Sequence, residues 1–251
     1  MCRHVAYLGP PIPLADLLFT PPHSLERQSW APADMRGGGT INADGFGVAW
    51  FPNPDEPPVR YRRSVPLWTD AGLPALAATT RSGAILAAVR SATVGLPVTE
   101  TAAAPFTDGR WLFSHNGKVT GWPDSVAGLA AALPVRDLLT LDAPTDSALL
   151  WALVRARLQA GLAPDKALAG VVADVAAAAP GSRLNLLLTD GATIAATTWG
   201  HSLSYLSTVD GVLVASEPLS PDPAWTAVPD LSLLVAAPPA VTVIALEGAV
   251  S

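Results

Sequence analysis

The chain has 251 residues, half of them hydrophobic and 14% charged, with 15 basic against 21 acidic side chains and a net charge of −6. That length buries one large core or two small ones, and the acidic balance offers no attractive field to nucleic acid or anionic lipid. A single cysteine, Cys2, excludes an intrachain disulfide framework, so the cytosol is the expected compartment.

No targeting or spanning segment is expected. Gly9-Pro10-Pro11 and Asp16 interrupt the basic-then-apolar layout of a signal peptide. The apolar run from Leu231 to Leu246 is short for a bilayer and is broken by Pro238-Pro239. The reading is of a soluble protein.

Chain order begins with Met1-Cys2-Arg3-His4. Aminopeptidase removal of a Met that precedes so small a residue would leave Cys2 with a free α-amine beside its thiol. An α-amine titrates near ~7.7–8.0 and a thiol near ~8.5, so the amine can serve as the thiol's own base. The plain alternative is a small residue at a frayed terminus.

Arg3 to Leu8 reads as a strand ended by Pro10 to Pro13, and Leu14 to Leu18 as one or two helical turns. Thr20 to Thr40 reads as a long loop that either carries Trp30 and Arg36 to a pocket or covers a sheet edge. Asn42-Ala43-Asp44-Gly45 is a turn into the strand Val48 to Phe51. There the glycines flanking Phe46 allow another backbone or a ligand to approach. The third glycine of a dinucleotide fingerprint is missing. Val59 to Arg63 closes a hairpin, and Thr69 or Asp70 caps a helix running to Ala78, with Pro74 in its first turn.

Ala84 to Val89 is a continuous apolar strand, buried on both faces, that ends at Arg90. A guanidinium there serves either a salt bridge within the fold or a ligand carboxylate, whose planar geometry suits Arg. Trp111 to Ser114 is a strand followed by His115-Asn116-Gly117. The Asn-Gly pair is first a turn signal, and it can also set a side-chain amide beside an unobstructed peptide N–H, as an oxyanion hole requires. Asp124 caps a helix over Ser125 to Leu133. Pro144-Thr145-Asp146-Ser147 opens the strongest helix, Ala148 to Ala160, with Asp146 either a first-turn acid or the partner of a substrate ammonium.

A helix over Asp165 to Ala178 follows. Strands then run over Arg183–Leu188, Thr193–Thr198, Leu203–Ser207, Val212–Ala215 and Val241–Ala245. With no repeat and no composition break, the pattern predicts one α+β domain of two antiparallel sheets and flanking helices.

In order and spacing, Cys2, the Asn42–Gly45 turn, Arg90, His115-Asn116-Gly117 and Thr145-Asp146-Ser147 resemble the class II glutamine amidotransferase domains, which are N-terminal-nucleophile hydrolases. The resemblance covers nearly the whole chain. It implies a four-layer αββα sandwich formed by residues 2–251 once Met1 is removed. Cys2 would attack a γ-glutamyl amide and pass through a glutamyl thioester, with Asn116 and the Gly117 N–H holding the oxyanion. Arg90, assisted by Thr93, would clamp the glutamyl α-carboxylate and Asp146 its α-ammonium. His115 joins the substrate-binding set, although a structural role is its plainer reading. No cofactor and no metal are implied.

Two positions depart from family patterns: Ala148 stands where many members have Glu, and Val94 where the sugar-phosphate branch has His. Both leave the glutamyl clamp intact and argue against an ammonia-donating glutaminase, as does a chain consumed by one such domain, with no synthase domain left over. Further stretches are similar to the γ-glutamyl hydrolase branch that serves ergothioneine biosynthesis. They include Ala88 to Gly95, Pro105 to Gly109, Arg183-Leu184-Asn185, Thr197 to Gly200 and Ala215-Ser216-Glu217-Pro218. That likeness implies hydrolysis of γ-glutamyl-hercynylcysteine S-oxide, a small-molecule substrate, with no nucleic-acid or membrane partner. Its trimethylammonium suits an aromatic face, for which Trp30, Trp50, Trp68 and Trp111 are candidates, each with core packing as the alternative. A glutaminase subunit serving a separate synthetase and a non-catalytic γ-glutamyl-binding protein remain the competing readings.

Overall fold

A computed structural model describes residues 2–36 and 41–246. Met1 and the last residues of the expected loop, 37–40, lie outside that description. In chain order the first half comprises β1 (Arg3–Pro13), α1 (Ala15–Leu18), α2 (Leu25–Trp30), β2 (Phe46–Trp50), β3 (Val59–Arg63), α3 (Leu73–Thr79), β4 (Arg81–Val89), β5 (Phe106–Asp108) and β6 (Trp111–Lys118). The second half adds α4 (Ala127–Ala131), α5 (Val135–Leu139), α6 (Asp146–Gln159), α7 (Pro164–Ala178), β7 (Arg183–Thr189) and β8 (Ile194–Thr198). It closes with β9 (Ser204–Ser207), β10 (Val212–Ala215), β11 (Thr226–Ala227), β12 (Ser232–Ala237) and β13 (Ala240–Ala245).

The strands form two antiparallel sheets, ordered β11-β9-β10-β1-β4-β2-β3 and β13-β12-β8-β7-β6-β5. Alternation along each strand builds the layers. On β1, Val5 and Tyr7 pack outward under α1–α3, while Ala6 and Leu8 pack inward against the second sheet. On β7, Leu184, Leu186 and Leu188 face α6 and α7, and Leu187 faces the first sheet. Three apolar layers thus separate four structural ones, and the fold is the αββα sandwich. Small residues such as Ala49, Ala84 and Ala196 line the inter-sheet layer and let the sheets approach.

Several local expectations are corrected. β1 does not stop at the prolines. It resumes with Ile12 opposite Ser82 after a register irregularity that absorbs Pro10 and Pro11, residues that cannot donate to a ladder. The stretch expected to be a loop from Thr20 holds α2, whose N-cap Ser24 accepts from Arg27 N. Asp124 is not a cap but the first residue of a 3₁₀ turn over Asp124–Val126. Asp70 accepts from Gly72 N and Leu73 N at 3.0 Å each, which fixes the turn just ahead of α3. The apolar run from Leu231 contains a strand not anticipated, β12, which hairpins with β13 across Pro238-Pro239.

Gly47 behaves as expected of a close approach: a Cβ there would lie 2.4 Å from the Ala104 carbonyl oxygen. Its backbone is therefore pressed against the chain entering β5.

Candidate active site

Cys2 stands immediately ahead of β1, a central strand of its sheet flanked by β10 and β4. It is half-buried, with Sγ 3.8 Å from the Ser91 carbonyl oxygen. Because Arg3 pairs with Val89, the end of β4 is carried alongside the thiol. Arg90 follows Val89, and the Asn42–Gly45 turn clamps it. Its N–H donates to Gly45 O at 2.8 Å, and its carbonyl accepts from Asp44 N at 3.0 Å. The Asp44 carboxylate takes the Ala92 N–H at 2.7 Å, which fixes the chain beyond.

The Arg90 side chain is 8% exposed and donates from Nη1 to Pro97 O at 2.8 Å and Asp44 O at 3.4 Å. Among the described residues no carboxylate comes within 4.0 Å of it. Carbonyl dipoles thus hold a buried cation that none of the described carboxylates pairs with. Thr93 is exposed and its carbonyl accepts from Leu96 N in the next turn.

His115-Asn116-Gly117 is not a turn. β6 runs straight through it, pairing Asn116 with Asn185 and Gly117 with Leu184. The glycine is required by contact: a Cβ at 117 would sit 1.9 Å from Arg183 O and 2.6 Å from His115 Nε2. Asn116 is buried between the sheets and donates Nδ2–H to Ser216 Oγ at 3.3 Å, while its Oδ1 has no partner. Ser216 Oγ also accepts from His4 N at 3.0 Å, and Ser216 N donates to His4 O at 2.9 Å. The amide of Asn116 is thereby tied to the strand that carries Cys2.

His115 spends both ring nitrogens within the fold. Its Nε2–H donates to Arg183 O at 2.9 Å, which leaves Nδ1 to accept from the Ser147 hydroxyl at 2.9 Å. Burial holds its pKa below the usual range, so the ring is neutral and the tautomer fixed. Asp146, at the start of α6, accepts from Val119 N at 2.9 Å and Ser147 N at 2.8 Å, while the Thr145 hydroxyl caps the helix at Ala148 N. His4 is fully buried between the sheets, 3.2 Å from Ser114 Oγ, and burial reinforced by positive neighbours pushes it down to about 3. His201 is pushed to about 3 by burial and by Arg183, whose Nε–H donates to His201 Nε2 at 2.9 Å.

Two openings flank the start of β1. A small cavity of about 20 Å³ is lined by Cys2, Arg90, Phe106, Ser114, His115 and Ser147. A cleft of about 510 Å³ is walled by Asp34, Arg36, Leu203, Ser216, Glu217 and Ala227, among others. Three sequence-predicted residues, Cys2, Arg90 and His115, therefore share one cavity. Asn116 reaches the cleft wall through Ser216, and Thr93 and Asp146 line neither opening.

Residues 24–210 match the family model described as glutamine amidotransferases class-II. The chain belongs to the class II glutamine amidotransferases. Among its relatives in that family, the γ-glutamyl-hercynylcysteine sulfoxide hydrolase of Mycolicibacterium smegmatis is 44% identical over 236 residues, covering 93% of this chain and 95% of the relative. The hydrolase of the same name from Mycobacterium tuberculosis is 42% identical over 249 residues, covering 99% and 98%. A solved glutamine aminotransferase class-II domain protein from Silicibacter pomeroyi superposes with a TM-score of 0.70 at 27% identity, covering 98% of this chain and all of that one.

Within this class II amidotransferase, sequence reasoning missed the network that seats the nucleophile's neighbour. Buried Arg3 donates to Glu217 Oε1 at 2.7 Å, to Cys2 O at 2.9 Å and to the carbonyl of Asp34. The other Glu217 oxygen takes His23 Nε2 and Ala33 N, each at 2.7 Å. Burial works to raise the Glu217 pKa, but the His23 hydrogen bond, the Arg3 charge and the Ala33 N–H together hold it below its ordinary value. The only sequence signal was the Ala215-Ser216-Glu217-Pro218 stretch, whose similarity came without a role. None of Trp30, Trp50, Trp68 or Trp111 lines the cleft: Trp50 is in the outer core, and Arg27 lies over the Trp30 ring at 4.0 Å.

Proposed function

We propose that this protein hydrolyses the γ-glutamyl amide of γ-glutamyl-hercynylcysteine S-oxide to glutamate and hercynylcysteine S-oxide, a step of ergothioneine biosynthesis. The observation that carries this reading is the 44% identity, over nearly the full length of both chains, to a hydrolase named for that substrate. The shared cavity of Cys2 and Arg90 supports it, because it brings to one opening a thiol and a guanidinium that none of the described carboxylates pairs with.

The mechanism we infer is the one the family resemblance implies, and those positions support it. With Met1 removed, the Cys2 α-amine takes the thiol proton and the thiolate adds to the γ-carbonyl carbon, forming a C–S bond. The negative charge moves to the carbonyl oxygen, where Asn116 and the Gly117 N–H hold it; each such donor is worth ~2.7–4 kcal/mol. A half-turn of the Asn116 amide lets Ser216 donate to Oδ1 and frees the NH₂ group for the oxyanion. This suits the unpartnered Oδ1. The tetrahedral intermediate collapses, the C–N bond breaks, and the α-ammonium returns its proton to the leaving nitrogen. Water then adds to the thioester, the C–S bond breaks and glutamate departs. Arg90 holds the glutamyl α-carboxylate; the roles of Thr93 beside it and of Asp146 on the α-ammonium rest on the family resemblance, since neither residue lines the cavity. His115 acts as a neutral wall that fixes Ser147.

We assign residues 2–251 to one domain, and place the protein in the cytoplasm with a small-molecule γ-glutamyl substrate. No helix among the described residues is long and apolar enough to cross a membrane. The test is glutamate release by the purified protein, with Met1 removal verified by intact mass, on the sulfoxide and on free glutamine. Strong preference for the sulfoxide is expected. Preference for glutamine would make the protein a glutaminase subunit serving a separate synthetase.

A further inference from the structure

We propose that the 510 Å³ cleft is the leaving-group subsite, and that Asp34 and Arg36 form a zwitterionic clamp for a betaine head group, an α-trimethylammonium carboxylate. This rests on the γ-glutamyl hydrolase reading for its substrate. Its residues come from the cleft itself.

Position is the first argument. The cleft wall begins one residue from the nucleophile, because Glu217 and the Asp34 carbonyl both receive the Arg3 guanidinium and Ser216 bonds both His4 N and Asn116 Nδ2. An amide carbonyl held between Cys2 and Asn116 has its nitrogen substituent facing this opening, with the glutamyl chain on the Arg90 side. Size is the second. About 510 Å³ lies within the ~300–1,000 Å³ of small-molecule sites. Glutamine's leaving group is ammonia, which needs no such space.

Chemistry is the third argument. Leu203, Ala227 and Val228 give the cleft an apolar wall, interrupted by hydroxyls such as Ser202 and Ser204. Its charged groups divide into two sets. Glu217 is committed to Arg3, His23 and Ala33 N. Asp34 and Arg36 are paired with each other, Arg36 Nε to Asp34 Oδ2 at 3.0 Å, and stay solvent-accessible at 28% and 55%. An ion pair so exposed is worth little internally. It is therefore free to exchange for a ligand carrying the complementary pair, carboxylate to Arg36 and quaternary cation to Asp34. Among the described residues the cleft is lined by no Phe, Tyr or Trp, and its one imidazole, His23, is committed to Glu217, so the cation is met by a carboxylate rather than an aromatic cage.

The probe is hercynine, the trimethylated histidine betaine, which has no γ-glutamyl bond and so reports on the cleft without turnover. Calorimetric titration should show binding to the native protein that weakens at least tenfold in Arg36→Gln, in Asp34→Asn and in Ala227→Trp. The last variant fills the cleft from an exposed position. In parallel, the ratio of kcat/KM for the sulfoxide substrate to that for a small γ-glutamyl alkylamide should fall at least tenfold in each variant. Hercynine affinity unchanged by all three variants, or no hercynine binding by the native protein, would overturn the assignment. Cleft-dependent hercynine binding without glutamate release would leave the subsite standing and remove the hydrolase reading instead.

Discussion

Acidification from about pH 7.5 to about pH 5.0 should cost this fold roughly 2 kcal/mol for each histidine it buries uncharged. His4 and His201 both have folded pKa values near 3, driven first by burial and then by neighbouring positive charge. An unfolded histidine titrates near ~6.5, so between those values the unfolded chain binds a proton that the folded chain refuses. The contribution is complete above ~6.5 and is lost as pH falls towards the folded value. One and a half pH units at ~1.36 kcal/mol each give about 2 kcal/mol per ring and about 4 for the pair. His115, depressed in the same direction, adds to the loss. Urea unfolding followed by tryptophan fluorescence at the two pH values measures it. A His4→Gln variant should lose about 2 kcal/mol less than the native protein across the same interval. Stability that is flat over this window, or identical pH dependence in the variant, would refute the buried neutral rings.

Three substitutions extend the account. Arg90→Ala removes a charged hydrogen-bond donor worth about 1.5–3 kcal/mol, so KM for a γ-glutamyl substrate should rise roughly ten- to a hundredfold. Arg90→Lys should recover only part of this, and unchanged steady-state kinetics would make Arg90 purely structural. Gly117→Ala forces a methyl against Arg183 O. It should lower stability by about 1–3 kcal/mol and kcat by about 10²–10³, read by urea midpoint and glutamate release. Glu217→Ala leaves Arg3 buried without its carboxylate, a loss of about 3–5 kcal/mol measurable by denaturant unfolding; a change within about 0.5 kcal/mol would contradict that pairing.

What the sequence revealed divides along a physical line. β7 to β10 and β13 were legible as short apolar runs punctuated by Gly, Asp and Pro. α7 was legible from apolar positions at helical spacing, Ala167, Leu168, Val171, Val172 and Val175, and α6, buried without a break over 148–154, from the Pro144-Thr145-Asp146-Ser147 start signal. The site motifs were legible because Cys2, Arg90 and the Asn116-Gly117 pair each have a chemical task that suits few residue types. The geometry around them was not. His115-Asn116-Gly117 looks like a turn when read alone, and only the partner strand β7 holds it extended. α2 was hidden in a Pro- and Ser-rich stretch, although Ser24 ahead of Leu-Glu-Arg-Gln is a capping signal. β12 was masked because both its faces are apolar. Arg3 and Glu217 are 214 positions apart, a pairing no local pattern displays.

The most direct test of the central claim is to quench the reaction in acid during steady-state turnover of γ-glutamyl-hercynylcysteine S-oxide and map the protein by mass spectrometry. The account predicts one glutamyl group on the Cys2 peptide, cleared as substrate is exhausted, and no glutamate release by Cys2→Ala. Turnover that persists in Cys2→Ala would contradict it.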